Sequence, residues 1–124
     1  MKPFNEKVIA VVGVSGDRSK FGRRIFESLV AERLNVYGVN PRGGEISNRK
    51  IYKNLAEMET RPDVVITVVQ PAVTEKIVEE CRALCVGEIW MQPGSESPAA
   101  IELAKKYGMS VTHGACIMLA NGIW

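Results

Sequence analysis

VIAVVGVSGDRSKFG, Val8 to Gly22, is the stretch whose reading decides the fold. It opens with an apolar, β-branched run, Val8 to Val12, the composition of a strand buried on both faces. Gly13 breaks the run, and Ser15, Gly16, Asp17 and Ser19 follow. The apolar residues then change period: Phe21, Ile25 and Leu29 recur every four, with Phe26 and Val30 beside them, which is helical spacing. Strand, glycine-bearing turn and helix in this order aim backbone N–H groups and a helix N-terminus at one point. That favours a phosphate or another anion, by about 0.3–2 kcal/mol from the dipole alone. The dinucleotide fingerprint is G-x-G-x-x-G. Here Gly13, Gly16 and Gly22 are spaced three and six apart, and Ser15 stands where the second glycine would be. An ordinary strand-to-helix turn explains the stretch equally well, so the ligand has to be argued from the rest of the chain.

The remaining elements alternate in the same way. Strand one is expected over Val8–Val14 and helix one from Lys20 or Phe21 to Arg33. Asn35 to Val39 reads as a second strand, stopped by Asn40-Pro41 because proline disfavours helix at the residue before it. Arg42, Gly43 and Gly44 form a loop, Lys50 to Tyr52 a short edge strand, and Leu55 to Met58 one helical turn. Asp63 to Val69 is the second strongly buried strand, ended by Gln70-Pro71. Val73, Ile77, Val78, Cys81, Leu84 and Cys85 form a helical stripe, with Gly87 as its stop. Glu88 to Met91 is a strand ended by Gln92-Pro93-Gly94, and Ser97-Pro98 is a helix start, a capping serine with proline behind it. That helix runs to Tyr107 with Gly108 as cap, and Met109 to Thr112 is a last strand. Ala115 to Trp124 is an apolar tail of no readable structure. The pattern predicts an α/β fold, a Rossmann-like open and mainly parallel sheet with helices on both faces, in a single domain over residues 1–124. Its strand-end loops lie along one edge, where open α/β sheets bind ligands.

Composition narrows the classes. The chain has 124 residues, 46% of them hydrophobic, as in a globular domain. No apolar run approaches the ~20 residues of a membrane span, and the N-terminus lacks a secretory layout, so no membrane partner is expected. Cys81, Cys85 and Cys116 are an odd count without framework spacing, and there is one histidine, so no metal site is expected. Buried thiols point to a reducing, cytoplasmic setting. A net charge of +2 gives no case for nucleic acid.

Where the charge sits is more telling. A classical NAD site has Asp or Glu at the end of the second strand. This chain has Asn40-Pro41-Arg42 there, and Arg18, Lys20, Arg23 and Arg24 after strand one. The cluster favours a ligand with one more phosphate than NAD, either NADP or coenzyme A. One of Arg23 and Arg24 is expected on a solvated helix face.

At this point the motifs converge. V-V-G-V-S with a downstream F-G, V-N-P-R, V-V-Q-P, W-M-Q-P-G and the late C-I-M occur in order over nearly the whole chain. In this the chain resembles the small stand-alone CoA-binding proteins, which are similar to the front domain of succinyl-CoA synthetase alpha chains. The resemblance implies a CoA or acyl-CoA site along the strand ends. Gly13, Val14 and Ser15 would present backbone N–H groups, and Ser15 its hydroxyl, to phosphate. Lys20, Phe21 and Gly22 would close the turn over the ligand. Asn40, Pro41 and Arg42 would border the adenosine, with Arg42 a candidate for the 3′-phosphate. Val69, Gln70 and Pro71 would line the adjacent loop, and Gln92, Pro93 and Gly94 the next strand end.

No catalytic constellation stands out. His113 is the only histidine and sits beside Gly114, where a loop or capping role is the simpler reading. Ser15 lacks the G-x-S-x-G frame, and no nucleophile–base pair is recognisable. Cys116 reads either as a small buried residue or as a thiol near that of CoA. Trp90 and Met91 read as core; Met118, Leu119 and Trp124 read as core or as a subunit contact, which would suit a homodimer. The expected function is non-catalytic CoA binding by a carrier, sensor or adaptor. The alternatives are an NADP-binding reductase domain and a regulatory subunit of a larger synthetase-like complex.

Overall fold

The computed structural model describes residues 2–124. Seven strands and four α-helices follow one another along the described residues: β1 (Val8–Val12), α1 (Phe21–Ala31), β2 (Asn35–Val39), β3 (Glu45–Ile46), β4 (Arg49–Tyr52), β5 (Val64–Thr67), α2 (Pro71–Ala83), β6 (Glu88–Met91), α3 (Pro98–Lys106), β7 (Ser110–Thr112) and α4 (Ile117–Ala120). The strands form one sheet in the order β3-β4-β2-β1-β5-β6-β7. All neighbours are parallel except β3 and β4. Without β3, this is the doubly wound order of nucleotide-binding sheets. β1 lies between β2 and β5, with Val11 beside Gly38 on one side and Ile66 on the other. The chain reverses its direction of winding there, so a crevice opens at the carboxyl ends of β1 and β5.

Alternation along the central strands divides the core in two. Ile9, Val11, Val64 and Ile66 pack on Ile25, Phe26 and Leu29 of α1 and on Ile117 and Met118 of α4. Ala10, Val12, Val65, Ile89 and Met91 pack on Ile77, Val78 and Cys81 of α2 and on Ala100 and Ala104 of α3. Helices therefore cover both faces, as expected.

Several boundaries differ from expectation. β1 ends at Val12, not Val14, because the Gly13 and Val14 N–H groups both turn to the Val39 carbonyl, at 2.9 and 3.3 Å. β5 begins at Val64 and stops at Thr67, although the Val68 N–H still reaches the Val12 carbonyl at 2.9 Å. α1 stops at Ala31, where Arg33 enters the left-handed region at φ 60°. The edge strand is part of a hairpin: Ser47 and Asn48, at φ 53° and 60°, turn β3 back onto β4, the positive φ angles that a two-residue hairpin needs. The tail contains α4 and folds back onto the sheet.

The amino-terminal edge of the sheet is tied by charged groups. Lys7 Nζ donates to Glu88 Oε1 at 2.6 Å, and the Val8 N–H donates to Asp63 Oδ2 at 2.8 Å. That second bond, with Lys2 adding to it, holds the Asp63 carboxyl below its ordinary range. Among the described residues, no helix is long and apolar enough to cross a membrane.

Candidate functional site

The β1–α1 turn is built by close approach. Gly13 has φ 110°, and a Cβ there would collide with the Val68 carbonyl. A Cβ at Gly22 would collide with the Gly13 carbonyl, so only glycine lets α1 start this near the end of β1. Asn40 clamps the turn from the next loop: its Nδ2 donates to the Val14 carbonyl at 2.6 Å, and its Oδ1 accepts from the Arg42 N–H at 2.8 Å. Arg23 clamps it from below. Nearly buried, it donates to the Gly16 carbonyl at 3.1 Å and to Glu27 Oε1 at 2.8 Å.

These bonds change the expected donors. Gly13 and Val14 offer no N–H to a ligand, since both are spent on Val39, and the Val14 side chain is in the core. The donors left are further on. Lys20 is the N-cap of α1, and its side chain makes no capping bond. Among the described residues, the Phe21, Gly22 and Arg23 N–H groups have no acceptor. Ser15 Oγ accepts from the Asp17 N–H at 3.0 Å, which leaves its own proton to donate. The side chains of Arg18, Lys20 and Arg42 form no ion pair among the described residues.

Asp17 stands in this basic turn for a structural reason. Its Oδ1 accepts from the Ser19 N–H at 2.9 Å and from the Ser19 hydroxyl at 2.7 Å. These bonds, the backbone one first, hold its carboxyl below the ordinary range, and Lys20 adds to the effect.

Beyond the turn, two hollows share a ridge of Val68 and Pro93. One, of about 330 Å³, is open and lies among Val69, Gln70, Gly94 and Ser95. The other, also about 330 Å³, is apolar and lies among Phe21, Gln92, Cys116, Leu119 and Trp124. A hollow of about 290 Å³ among Phe4, Glu32 and Asn121 shares no lining residue with either.

Gln92 is nearly buried and ties the tail to β6. Its Oε1 accepts from the Ile117 N–H at 2.7 Å, and its Nε2 donates to Cys116 Sγ at 3.4 Å. Trp90 fastens the same segment through Nε1 to the Ala115 carbonyl at 2.9 Å, and Trp124 Nε1 donates to Ser28 Oγ at 3.0 Å. Burial pushes the Cys116 thiol up, but hydrogen bonds from Gln92 and from the Leu119 and Met118 N–H groups bring it below its ordinary value. Cys81, by contrast, is pushed up to about 12 by burial in the core.

The structure thus gathers most of the expected residues along one edge but gives several a different task. Phe21 does not close over the turn; its ring lines the apolar hollow, 6.2 Å from that of Trp124, with the Arg24 guanidinium over both. Asn40 spends its polar atoms on the β1–α1 turn and on its own loop, and Gln92 on the tail. Of Arg23 and Arg24, one of which is expected on a solvated face, Arg24 is the exposed one and Arg23 a buried strut. Sequence reasoning does not single out Val68, which borders both hollows, or buried Ser95, whose hydroxyl bonds Thr67 and Gln92 and fixes the β6 loop. Val68 opens the V-V-Q-P motif, though the expected lining begins at Val69; Ser95 carries no signal beyond its place at a strand end. His113 is exposed in a loop.

Comparison with known proteins bears on the family and the fold. The family model described as CoA binding domain matches residues 7–122. Acetate–CoA ligase (ADP-forming) II subunit alpha of Pyrococcus furiosus is 31% identical over 129 residues, covering 95% of this chain and 28% of that protein. Subunit alpha of ligase I from the same organism is 30% identical, covering 87% of this chain and 27% of that protein. The chain therefore spans under a third of the length of these curated relatives. Among solved structures, a conserved hypothetical protein from Pyrococcus furiosus superposes with a TM-score of 0.86 at 33% identity, covering 90% of this chain and 97% of that one. The dinucleotide forming acetyl-coenzyme A synthetase 1 of Ca. Korarchaeum cryptofilum, in its apo form, gives a TM-score of 0.77 at 27% identity over 87% of this chain and 26% of that one. With a family model matched over all but its first six and last two residues, on a sheet with the doubly wound strand order, this chain belongs to the CoA binding domain family.

Proposed function

We propose that the chain binds coenzyme A along the carboxyl ends of β2, β1, β5 and β6 and does not turn it over. The observation that carries this reading is the bare start of α1, with three unspent N–H groups among Arg18, Lys20 and Arg42. The pyrophosphate takes the Ser15 hydroxyl and the Phe21, Gly22 and Arg23 N–H groups, where the helix dipole adds to the attraction. Arg42, just past the end of β2, takes the 3′-phosphate; no carboxylate stands at that strand end to select a ribose hydroxyl. The pantetheine arm crosses the Val68–Pro93 ridge. Two observations favour binding without chemistry: Ser15 Oγ is held by the Asp17 N–H rather than by a base, and His113 lies outside the hollows.

A second reading is supported by the relatives, which are alpha subunits of ADP-forming ligases of far greater length. In it, the chain presents CoA to a partner that supplies the chemistry.

The test is calorimetric titration with CoA, 3′-dephospho-CoA, NADP and NAD. The expected result is CoA binding that weakens at least fivefold without the 3′-phosphate. NADP binding without CoA binding would overturn the reading in favour of a reductase domain.

A further inference from the structure

The two ends of the groove differ in chemistry. The β2 end is polar and basic and suits the phosphates. The far end is a hollow of about 330 Å³ walled by Phe21, Val68, Pro93, Leu119 and Trp124, with Gln92 and Cys116 the only polar side chains lining it. Its walls come partly from the chain's own tail, which Gln92 and Ser28 hold in place. Phe21 and Leu119 are 58% and 64% exposed at its rim, large apolar groups kept out of the core. The bare thiol of CoA is one small polar atom and leaves such a chamber unfilled. An apolar cavity of roughly 150 Å³ takes a whole benzene ring, so this one has room for a chain of several carbons.

Building on the CoA reading above, we infer that the preferred ligand is an acyl-CoA thioester whose short or medium acyl chain lies in this chamber between α1 and α4. The thioester then sits near Gln92 and Cys116, and the chain lies along the wall formed by the contacting rings of Phe21 and Trp124. Each methylene that leaves water for the chamber tightens binding about fourfold, until the chamber is full.

Calorimetric titration with CoA, acetyl-CoA, butyryl-CoA and hexanoyl-CoA tests this on the whole chain and on Leu119→Asp, a substitution at an exposed rim position. The expected result is an affinity that rises at least tenfold from acetyl to hexanoyl in the wild type, with most of that rise lost in Leu119→Asp. A flat series with intact CoA binding overturns the chamber and leaves the CoA site standing; the apolar walls would then await a protein partner. A rise that survives in Leu119→Asp also overturns it, because the acyl chain would lie elsewhere. Failure of CoA and all thioesters alike overturns the CoA reading itself, and the inference with it.

Discussion

Helices α1 and α3 both start at the carboxyl edge of the same sheet, each directly after a strand and a loop, yet their first turns differ. α3 is nearly sealed: Ser97 Oγ accepts the Ala100 N–H at 3.0 Å, Pro98 removes a donor, and the Ala99 N–H alone has no acceptor among the described residues. α1 is open: Lys20 caps nothing, and three N–H groups are unspent. α2 lies between these cases, with Pro71 in its first turn and the Val73 and Thr74 N–H groups returned to the Gln70 carbonyl. The N–H groups at the exposed start of α1 are left to water or a ligand, which is why the proposed CoA site is put there. Its neighbours agree, since Arg18 and Lys20 lie beside α1 while Glu96 lies beside α3.

The largest effect comes from moving the open terminus. In Gly22→Ala the new methyl group meets the Gly13 carbonyl, and α1 has to shift away from the turn. Overpacking of this kind costs about 1–3 kcal/mol, and CoA binding is expected to fall at least a hundredfold. Gly13→Val strikes the Val68 carbonyl as well and carries positive φ, so it disturbs the β1–β5 pairing and is the poorer probe of binding. Gly16→Ala is the control: nothing lies within 4 Å of its Cβ, and stability should hold within about 0.5 kcal/mol. Urea denaturation and calorimetry on both proteins check this. A Gly22→Ala protein that binds like wild type would detach the site from α1.

The next effect comes from exchanging the caps. Lys20 already has the extended backbone of an N-cap, at φ −76° and ψ 143°. Lys20→Ser supplies a cap, Lys20→Ala removes the charge without one, and the difference isolates the terminus. The serine protein is expected to be about 0.5–2 kcal/mol more stable than the alanine protein and to bind CoA several-fold more weakly, because the hydroxyl competes for the same N–H groups. Ser97→Ala at α3 should lose a similar amount of stability with no change in affinity. Equal CoA affinity in the two Lys20 variants would show that the phosphates do not use this terminus.

The contrast between the two helix starts is only half legible in the sequence. Ser97-Pro98 announces a sealed start because both signals are local. The open start reads as three glycines presenting Gly13 and Val14, and those N–H groups are taken by Val39, a partner set by strand register. Which of Arg23 and Arg24 is solvated is not readable, because the acceptors of Arg23, the Ser15 and Gly16 carbonyls, face it only once the turn has folded. The buried strands are plain from their β-branched runs. The β3–β4 hairpin is not, since its strands are short and polar and its turn uses Ser47-Asn48 instead of glycine. The tail is opaque for another reason: α4 has four residues and takes its place from the side chain of Gln92, 25 positions earlier.

The smallest effect concerns the one acidic group in the open turn. Asp17 holds the turn together through Ser19, and those bonds lower a carboxyl that, exposed as it is, is ionised at neutral pH in any case. Its geometry therefore supports the proposed anion site while its charge opposes it. An asparagine in its place would keep the Oδ1 acceptor that the turn needs and lose the charge. Asp17→Asn is expected to tighten CoA binding about twofold to fivefold at low ionic strength, the scale of a solvent-exposed charge pair. The gain should shrink toward 0.15 M salt, where the screening length is about 8 Å, and the urea midpoint should stay at the wild-type value. Titrations across a salt series decide it. No gain at low salt would place the phosphates away from this turn. Weaker binding at every salt concentration would mean that the carboxylate accepts hydrogen bonds from the ligand, and that the polar rather than the phosphate end of the molecule lies over α1.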